Sequence, residues 1–232
     1  MLTSADAAAR LGVTAHEVRR LVHAGVLRGR RLGRQLIVDE ASVEARATTQ
    51  VRPGRALTPA NAWAVLFVLS GEQAPWMAAS TRSRLLGRWL GDVDARALAV
   101  ACRHRASRHP HRVLPAYRDR VLAEPGVVPT GMSSATAVDV DIVAVDPVAE
   151  AYCSPDDLDA LTRRYALSDE GRPNVLLRVP STEDDNVLRL LLDRRTMPSA
   201  VTAADLMESD DPRTRRAGQR LLDQALTRFR SP

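Results

Sequence analysis

At 232 residues the chain is long enough for one large or two to three small domains and can bury a true core. All 33 basic residues are arginine, set against 28 acids, and the formal net charge is +5. Cys102 and Cys153 form no CxxC pair and the longest apolar run, residues 62–69, is far short of a membrane span, so a disulfide framework, a thiolate zinc site and a transmembrane helix are excluded. No charged segment followed by an apolar one opens the chain, and a soluble cytoplasmic protein is expected. Aromatic residues make up only 3%, so the interior must rest on Leu, Val and Ala, which suits helices.

The first element expected is a short helix over residues 3–11, opened by Thr3, with Ala7, Ala8 and Leu11 on its buried face and Gly12 ending it. Thr14 with Glu17 three residues later forms a capping box and starts a second helix. Steps of 100° put Ala15, Val18, Leu21 and Val22 on one side of it and His16, Arg19, Arg20 and His23 on the other, with Gly25 closing it. "VLRGRRLGRQLIVD" then reads as a hairpin around Gly33, and Asp39 opens a third helix. A helix braced by a first helix and followed by a basic hairpin can place its N-terminal half in the DNA major groove. Thr14, His16, Arg19, Arg20 and His23 are then the groove-facing residues. Arg28, Arg30, Arg31 and Arg34 supply phosphate contacts, and Gln35 reaches phosphate or base edge. Residues 15–35 carry six arginines and one glutamate, net +5.

"TTQVRPGRAL", residues 48–57, has no periodicity and reads as a linker between residues 1–47 and a larger domain over 58–232, with a subdivision near 125. Thr58 and Pro59 open a buried helix, and Ser80 is expected to cap another, "TRSRLLGRWLG". Residues 82–120 hold ten arginines and three aspartates, whereas residues 139–159 hold seven acids and no arginine. "VAEAYC", the Ser154/Pro155-capped "DDLDALTRRYAL" and "NVLLRVP" give strand, helix, strand, and residues 217–229 an amphipathic helix. The fold class expected is mainly α with small β: an N-terminal winged helix-turn-helix and a larger α+β C-terminal domain.

The segment "LTSADAAARLGVTAHEVRRLVHAGVLRGRRLGRQLIVDEASVEAR" resembles the excisionase and MerR-type winged helix-turn-helix, through its "LGV" turn, capping box, "AG" ending and arginine wing. The resemblance implies double-stranded DNA, an operator, as partner. One such module covers on the order of 600–1,000 Å², so a homo-oligomer is expected to supply further contacts. "RPGRALTPANAWAVLFVLSG", "VAEAYCSPDDLDALTRRYALSDEGRPNVLLRVP" and "DLMESDDPRTRRAGQRLLDQAL" resemble the AbiEi-like antitoxin proteins of actinobacteria. That resemblance implies an autorepressing antitoxin of a type IV-like toxin–antitoxin operon, with a nucleotidyltransferase-type toxin as partner. An excisionase-like architectural factor is the alternative within the same binding class.

Catalysis is weakly written in the sequence. "GMSSATAVDVDIV" resembles the Gly-Ser and Asp-x-Asp elements of nucleotidyltransferases, with Asp139 and Asp141 as the metal-holding pair. Met132 departs from that pattern where serine should follow Gly131, and no basic residue nearby offers a phosphate clamp. Asp139, Asp141 and Asp146 are expected in solvent or paired with the arginine-rich segment. "CRHRASRHPHR" brings Cys102, His104, His109 and His111 together, yet positions two apart on a helix diverge and the interleaved arginines repel a cation. That segment is expected as a basic surface for nucleic acid or an acidic partner. No Ser/His/Asp arrangement and no phosphate-cradling glycine–lysine loop exists, so no catalytic residue, metal or cofactor is expected and the protein is read as a non-enzyme.

Overall fold

The computed structural model describes residues 2–11, 13–23, 27–32, 35–40, 42–43, 56–134, 148–182 and 184–231. Helices dominate and the sheets are small. The chain divides into two compact units, Met1–Gly54 and Arg55–Pro232.

In the smaller unit β1 (Leu2–Thr3) precedes α1 (Ser4–Leu11) and α2 (Ala15–His23), followed by β2 (Gly29–Leu32) and β3 (Gln35–Val38). Thr3 is a strand residue and not the first of a helix. Its Oγ1 still accepts from the Asp6 amide at 3.2 Å, so the cap expected of it is made. β2 and β3 form the anticipated hairpin, Leu32 opposite Gln35, and β1 adds to its other edge to give the order β1-β3-β2. A two-residue strand is too short to show a periodicity in the sequence. Ala7, Ala8, Leu11, Val18, Leu21, Leu27, Val38 and Val43 make a small core of their own. Glu40, Ser42 and Val43 are helical, whereas the helix ends at Gly12 and Gly25 and the hairpin turn at Gly33 lie outside the described residues.

The larger unit runs through α3 (Pro59–Leu69), α4 (Ala79–Arg84), one π-helical turn (Leu85–Trp89), α5 (Leu90–Asp92), α6 (Ala95–Ala101), β4 (Ala106–His111), α7 (Arg118–Leu122), β5 (Val128–Pro129), α8 (Gly131–Ser134), β6 (Ala149–Tyr152), α9 (Pro155–Tyr165), β7 (Val175–Pro180), α10 (Asp185–Leu192), α11 (Ser199–Met207) and α12 (Pro212–Arg230). The side chains of Thr58 and Ser154 cap α3 and α9 as their positions predicted. Ser80 does not cap: α4 begins two residues earlier, behind Ala78, with no side-chain cap, and the helix widens into the π turn. Leu57, at the end of the expected linker, donates its amide to Ala101 O at 2.9 Å and packs on the core, so this unit starts before residue 58. The rest of that linker, residues 48–55, lies outside the described residues.

The sheet order is β4-β7-β6-β5, with β6 and β7 parallel and both edges antiparallel. β4 pairs with β7 along its length, so one sheet takes strands from both sides of residue 125. β6, α9 and β7 form the crossover that parallel strands require. Strand alternation sends Ala149, Ala151, Cys153, Val175 and Leu177 into a core beside α7 and α9. Glu150, Tyr152 and Arg178 alternate with them: Tyr152 and Arg178 meet Asp205 of α11, and Glu150 pairs with Arg178.

That junction is a closed network of charge. Asp205, fully buried, receives Arg105 and Thr130 at its two oxygens, and also Tyr152 OH at 2.9 Å. Arg105 Nη1 lies 2.8 Å from Glu208 Oε1, and Arg178 reaches Glu208 at 2.5 Å and Glu150 at 3.0 Å. Two arginines thus face three carboxylates in the interior. Beside it α12 lies unusually close on α11: a Cβ at Gly218 would sit 2.6 Å from Ala203 O and 2.8 Å from Leu206 Cβ.

Removing one member of such a network strands buried charge. Asp205→Ala is expected to destabilise this unit by about 3–5 kcal/mol, a fall in melting temperature of roughly 6–20 °C, measurable by calorimetry. Burial pushes the Glu150 carboxyl above its ordinary 4.5, against the attraction of Arg178. Burial also opposes ionisation of Glu208, but Arg105 and Arg178 outweigh it and hold that carboxyl below 4.5. On acidification folded Glu150 gains its proton before the unfolded chain does, which adds stability. Below 4.5 the unfolded chain takes a proton that folded Glu208 resists, which removes it. Urea midpoints should therefore rise toward mildly acidic pH and then drop, and Glu150→Gln should abolish the rise and keep the drop.

Candidate nucleic-acid interface

The polar face of α2 is built by its cap and its apolar underside. Thr14 Oγ1 accepts from the Glu17 amide at 3.2 Å, which starts the helix where the sequence placed it. Val18 and Leu21 are buried and Ala15 and Val22 pack beside them, and this fixes the rotation of the helix. Thr14, His16, Arg19 and Arg20 are exposed as a consequence. The backbone of His23 ends the helix, and its side chain lies outside the described residues.

The two adjacent arginines are held differently. Arg20 makes a fork to Glu17, Nε to Oε2 at 2.8 Å and Nη2 to Oε1 at 2.6 Å, so its charge is partly answered within the helix. Among the described residues Arg19 donates only Nε, to Ala15 O at 3.1 Å. Sequence spacing treated the pair as equivalent. The Glu17 fork, which depends on rotamers, leaves Arg19 the less engaged of the two among the described residues.

Arg28 and Arg30 are exposed on the hairpin beside α2. Asp39 N donates to Arg28 O at 2.8 Å and Arg28 N to Ser42 Oγ at 3.2 Å, which ties the first of them to the chain beyond the hairpin. Arg31 and Gln35 are strand residues of β2 and β3 whose side chains lie outside the described residues, as does Arg34 entirely. Gly29 sets the distance between hairpin and helix. A Cβ there would come 3.0 Å from Ile37 O and 3.1 Å from Val22 Cγ1. Arg10 and Glu40, 2.9 Å apart and exposed, add a link worth little by itself.

The arginine-rich segment 102–112 differs from its expectation. It is not helical over most of its length: residues 106–111 are β4, so positions two apart share a face, and Ser107 Oγ lies 2.9 Å from His109 Nε2. Arg105 is not a surface cation at all but a member of the buried network. Arg103, His104, Arg108 and Arg112 stay exposed. His111 is nearly buried, with Nδ1 2.8 Å from Asp169. Among the described residues no group of three or more His, Cys, Asp or Glu side chains could hold a metal ion. Burial pushes the thiols of Cys102 and Cys153 up to about 12, which leaves both as inert apolar side chains. Ser133 accepts from the Glu150 amide at 2.8 Å and Ser134 meets Thr202 at 3.2 Å, so both serines of "GMSS" serve packing. Asp139, Asp141 and Asp146 lie outside the described residues.

A family model described as a helix-turn-helix domain matches residues 1–51, which takes in α1, α2 and the hairpin. No curated protein and no solved structure matches the chain. The first part of the chain is therefore a helix-turn-helix domain, and that domain supports a DNA-binding regulator. No helix among the described residues is long and apolar enough to cross a membrane.

Any side chain at position 29 must wedge the hairpin away from α2. Gly29→Val is expected to cost about 1–3 kcal/mol of domain stability by overpacking. It should also weaken DNA binding as strongly as loss of Arg28 and Arg30 together, read by thermal melting and by electrophoretic mobility shift.

Proposed function

We propose that the protein is a sequence-specific transcriptional regulator that reads an operator with α2 and grips the flanking backbone with the β2–β3 hairpin. The observation that carries this reading is the exposed His16, Arg19 and Arg20 on a capped helix whose other side is buried, beside the exposed Arg28 and Arg30. Thr14, His16, Arg19, Arg20 and His23 are assigned to the major groove, and Arg28, Arg30, Arg31, Arg34 and Gln35 to the wing. A helix of this kind offers its N-terminal residues to base edges, and arginine matches guanine bidentately. A homodimer on an inverted repeat supplies the area that one module lacks. The protein acts by binding and not by catalysis.

Within that class we assign it as the autorepressing antitoxin of a type IV-like toxin–antitoxin operon. The resemblance of residues 52–71, 148–180 and 205–226 to AbiEi-like antitoxins supports this assignment, and the cognate toxin is then of nucleotidyltransferase type. A neighbouring reading frame for such an enzyme, whose toxicity this chain relieves on co-expression, is the expected finding. An integrase neighbour and cooperative coating of direct repeats would identify an excisionase-like factor instead.

Arg19→Ala should weaken operator binding by about 1–3 kcal/mol and relax specificity, and Arg20→Ala should do so less because Glu17 already engages that guanidinium. Arg30→Ala should weaken operator and random duplexes alike. With about five phosphate contacts the affinity should fall with salt at a log–log slope of roughly −4 to −5. Footprinting and fluorescence anisotropy across a salt series check both statements, and a flat salt response would contradict the role given to the wing.

A further inference from the structure

The helix over residues 79–92 contains a feature that the DNA-binding reading leaves unused. After α4 the chain takes one π turn, in which Leu90 N donates to Leu85 O, five residues back. In an unbroken α-helix Trp89 would stand about 140° round the axis from Arg84, at 100° per residue. The wider turn takes up an extra residue and brings the indole round toward the arginine, and turns of this kind recur at functional positions. Leu85 and Leu90 anchor the segment in the core. Its end is clamped by Arg230, which donates to Leu90 O at 3.0 and 2.8 Å and also to Val93 O. The surface so formed is held from below and needs little ordering to receive a ligand.

Arg84, Arg88, Trp89, Asp92 and Val93 line a concavity of about 320 Å³ on that surface. Its size falls in the range of small-molecule sites, ~300–1,000 Å³. Arg84, Arg88 and Asp92 are exposed, and none of the three has an ion-pair partner among the described residues, although they gather round one half-buried indole. Two guanidiniums and one carboxylate leave an excess of one positive charge.

We propose that this concavity binds a free nucleotide. Arg84 and Arg88 take the phosphates, for which a planar fork of donors is suited. Trp89 offers a face on which a base stacks. Asp92 accepts from the ribose hydroxyls, as a carboxylate does in dinucleotide sites. Each group on the rim thus meets a complementary part of one ligand, whereas inorganic phosphate would leave the indole and Asp92 unused and a nucleoside would leave both arginines unanswered. No bond is made or broken at the site. The proposal is independent of the operator reading.

The test is a titration of the full chain with ATP, GTP, AMP, adenosine and inorganic triphosphate, followed by calorimetry and tryptophan fluorescence. Saturable binding of ATP or GTP is expected, with quenching that Trp89→Phe removes. Arg84→Ala with Arg88→Ala should lower affinity at least about tenfold, as loss of charge-assisted hydrogen bonds worth ~1.4 kcal/mol requires. Asp92→Asn should narrow the preference for ribonucleotides over deoxyribonucleotides. These side chains lie at the surface, and circular dichroism verifies that the variants fold. Arg19→Ala should bind nucleotide like the parent, which separates this site from the DNA-binding face. Affinity unchanged in the double variant, full competition by triphosphate alone, or binding of a single-stranded oligonucleotide with none of the mononucleotides would each overturn the proposal.

Discussion

Asp205 has no contact with solvent, and it meets Arg105, Thr130, Tyr152 and Arg178 from all four strands of the sheet or the residues beside them. A carboxylate in that position costs several kcal/mol to desolvate and is tolerable only when nearly every oxygen lone pair is answered. The network therefore admits one seating of α11 on the sheet: a shift of even a residue would leave Asp205 and Arg105 charged and without each other. Apolar packing drives the larger unit together, while these side chains choose which packing is adopted. Trp63 joins them through the backbone, its Nε1 donating to Arg105 O at 3.0 Å, and so ties α3 to the same junction.

The same residue type serves opposite ends in the two units. Two arginines of the larger unit, Arg105 and Arg178, are drawn inside because carboxylates on β6, on α11 and just beyond it meet them. In the helix-turn-helix domain the described interior is apolar, eight buried hydrophobic residues with no charged member among the described residues, and Arg19, Arg20 and Arg30 stay at the surface. A helix face is made cationic there by exclusion: Val18 and Leu21 claim the core, so Arg19 and Arg20 cannot. That exclusion is the physical basis of the DNA-binding reading.

A binding protein of this design separates rigidity from recognition. The small unit carries only a small apolar cluster, and it gains definition from caps at Thr3 and Thr14 and from the tight approach of Gly29 to α2. The larger unit is over-determined by comparison, with a double-faced sheet, a clamped helix end at Arg230 and a buried ionic junction.

Local chemistry was sufficient for much of this. The caps at Thr14, Thr58 and Ser154, the hairpin of residues 29–38, the strand–helix–strand of residues 149–180 and the buried side of α2 all follow from spacing and hydrogen-bonding rules that act within a few residues. Glu150 and Arg178, each set in an otherwise apolar strand, were a legible sign that those strands carry paired charge inward. The acid that joins Arg178 to Arg105 was not legible, because Asp205 lies 27 positions beyond Arg178 and 100 beyond Arg105 and no local rule links them. The same limit explains why segment 102–112 read as a basic surface: strand pairing with residues 175–180 turned it into β4, and the network took Arg105 indoors. Sequence alone decides what each short segment can do by itself; tertiary structure decides which charges are hidden, because burial is paid for only by partners that folding brings from afar.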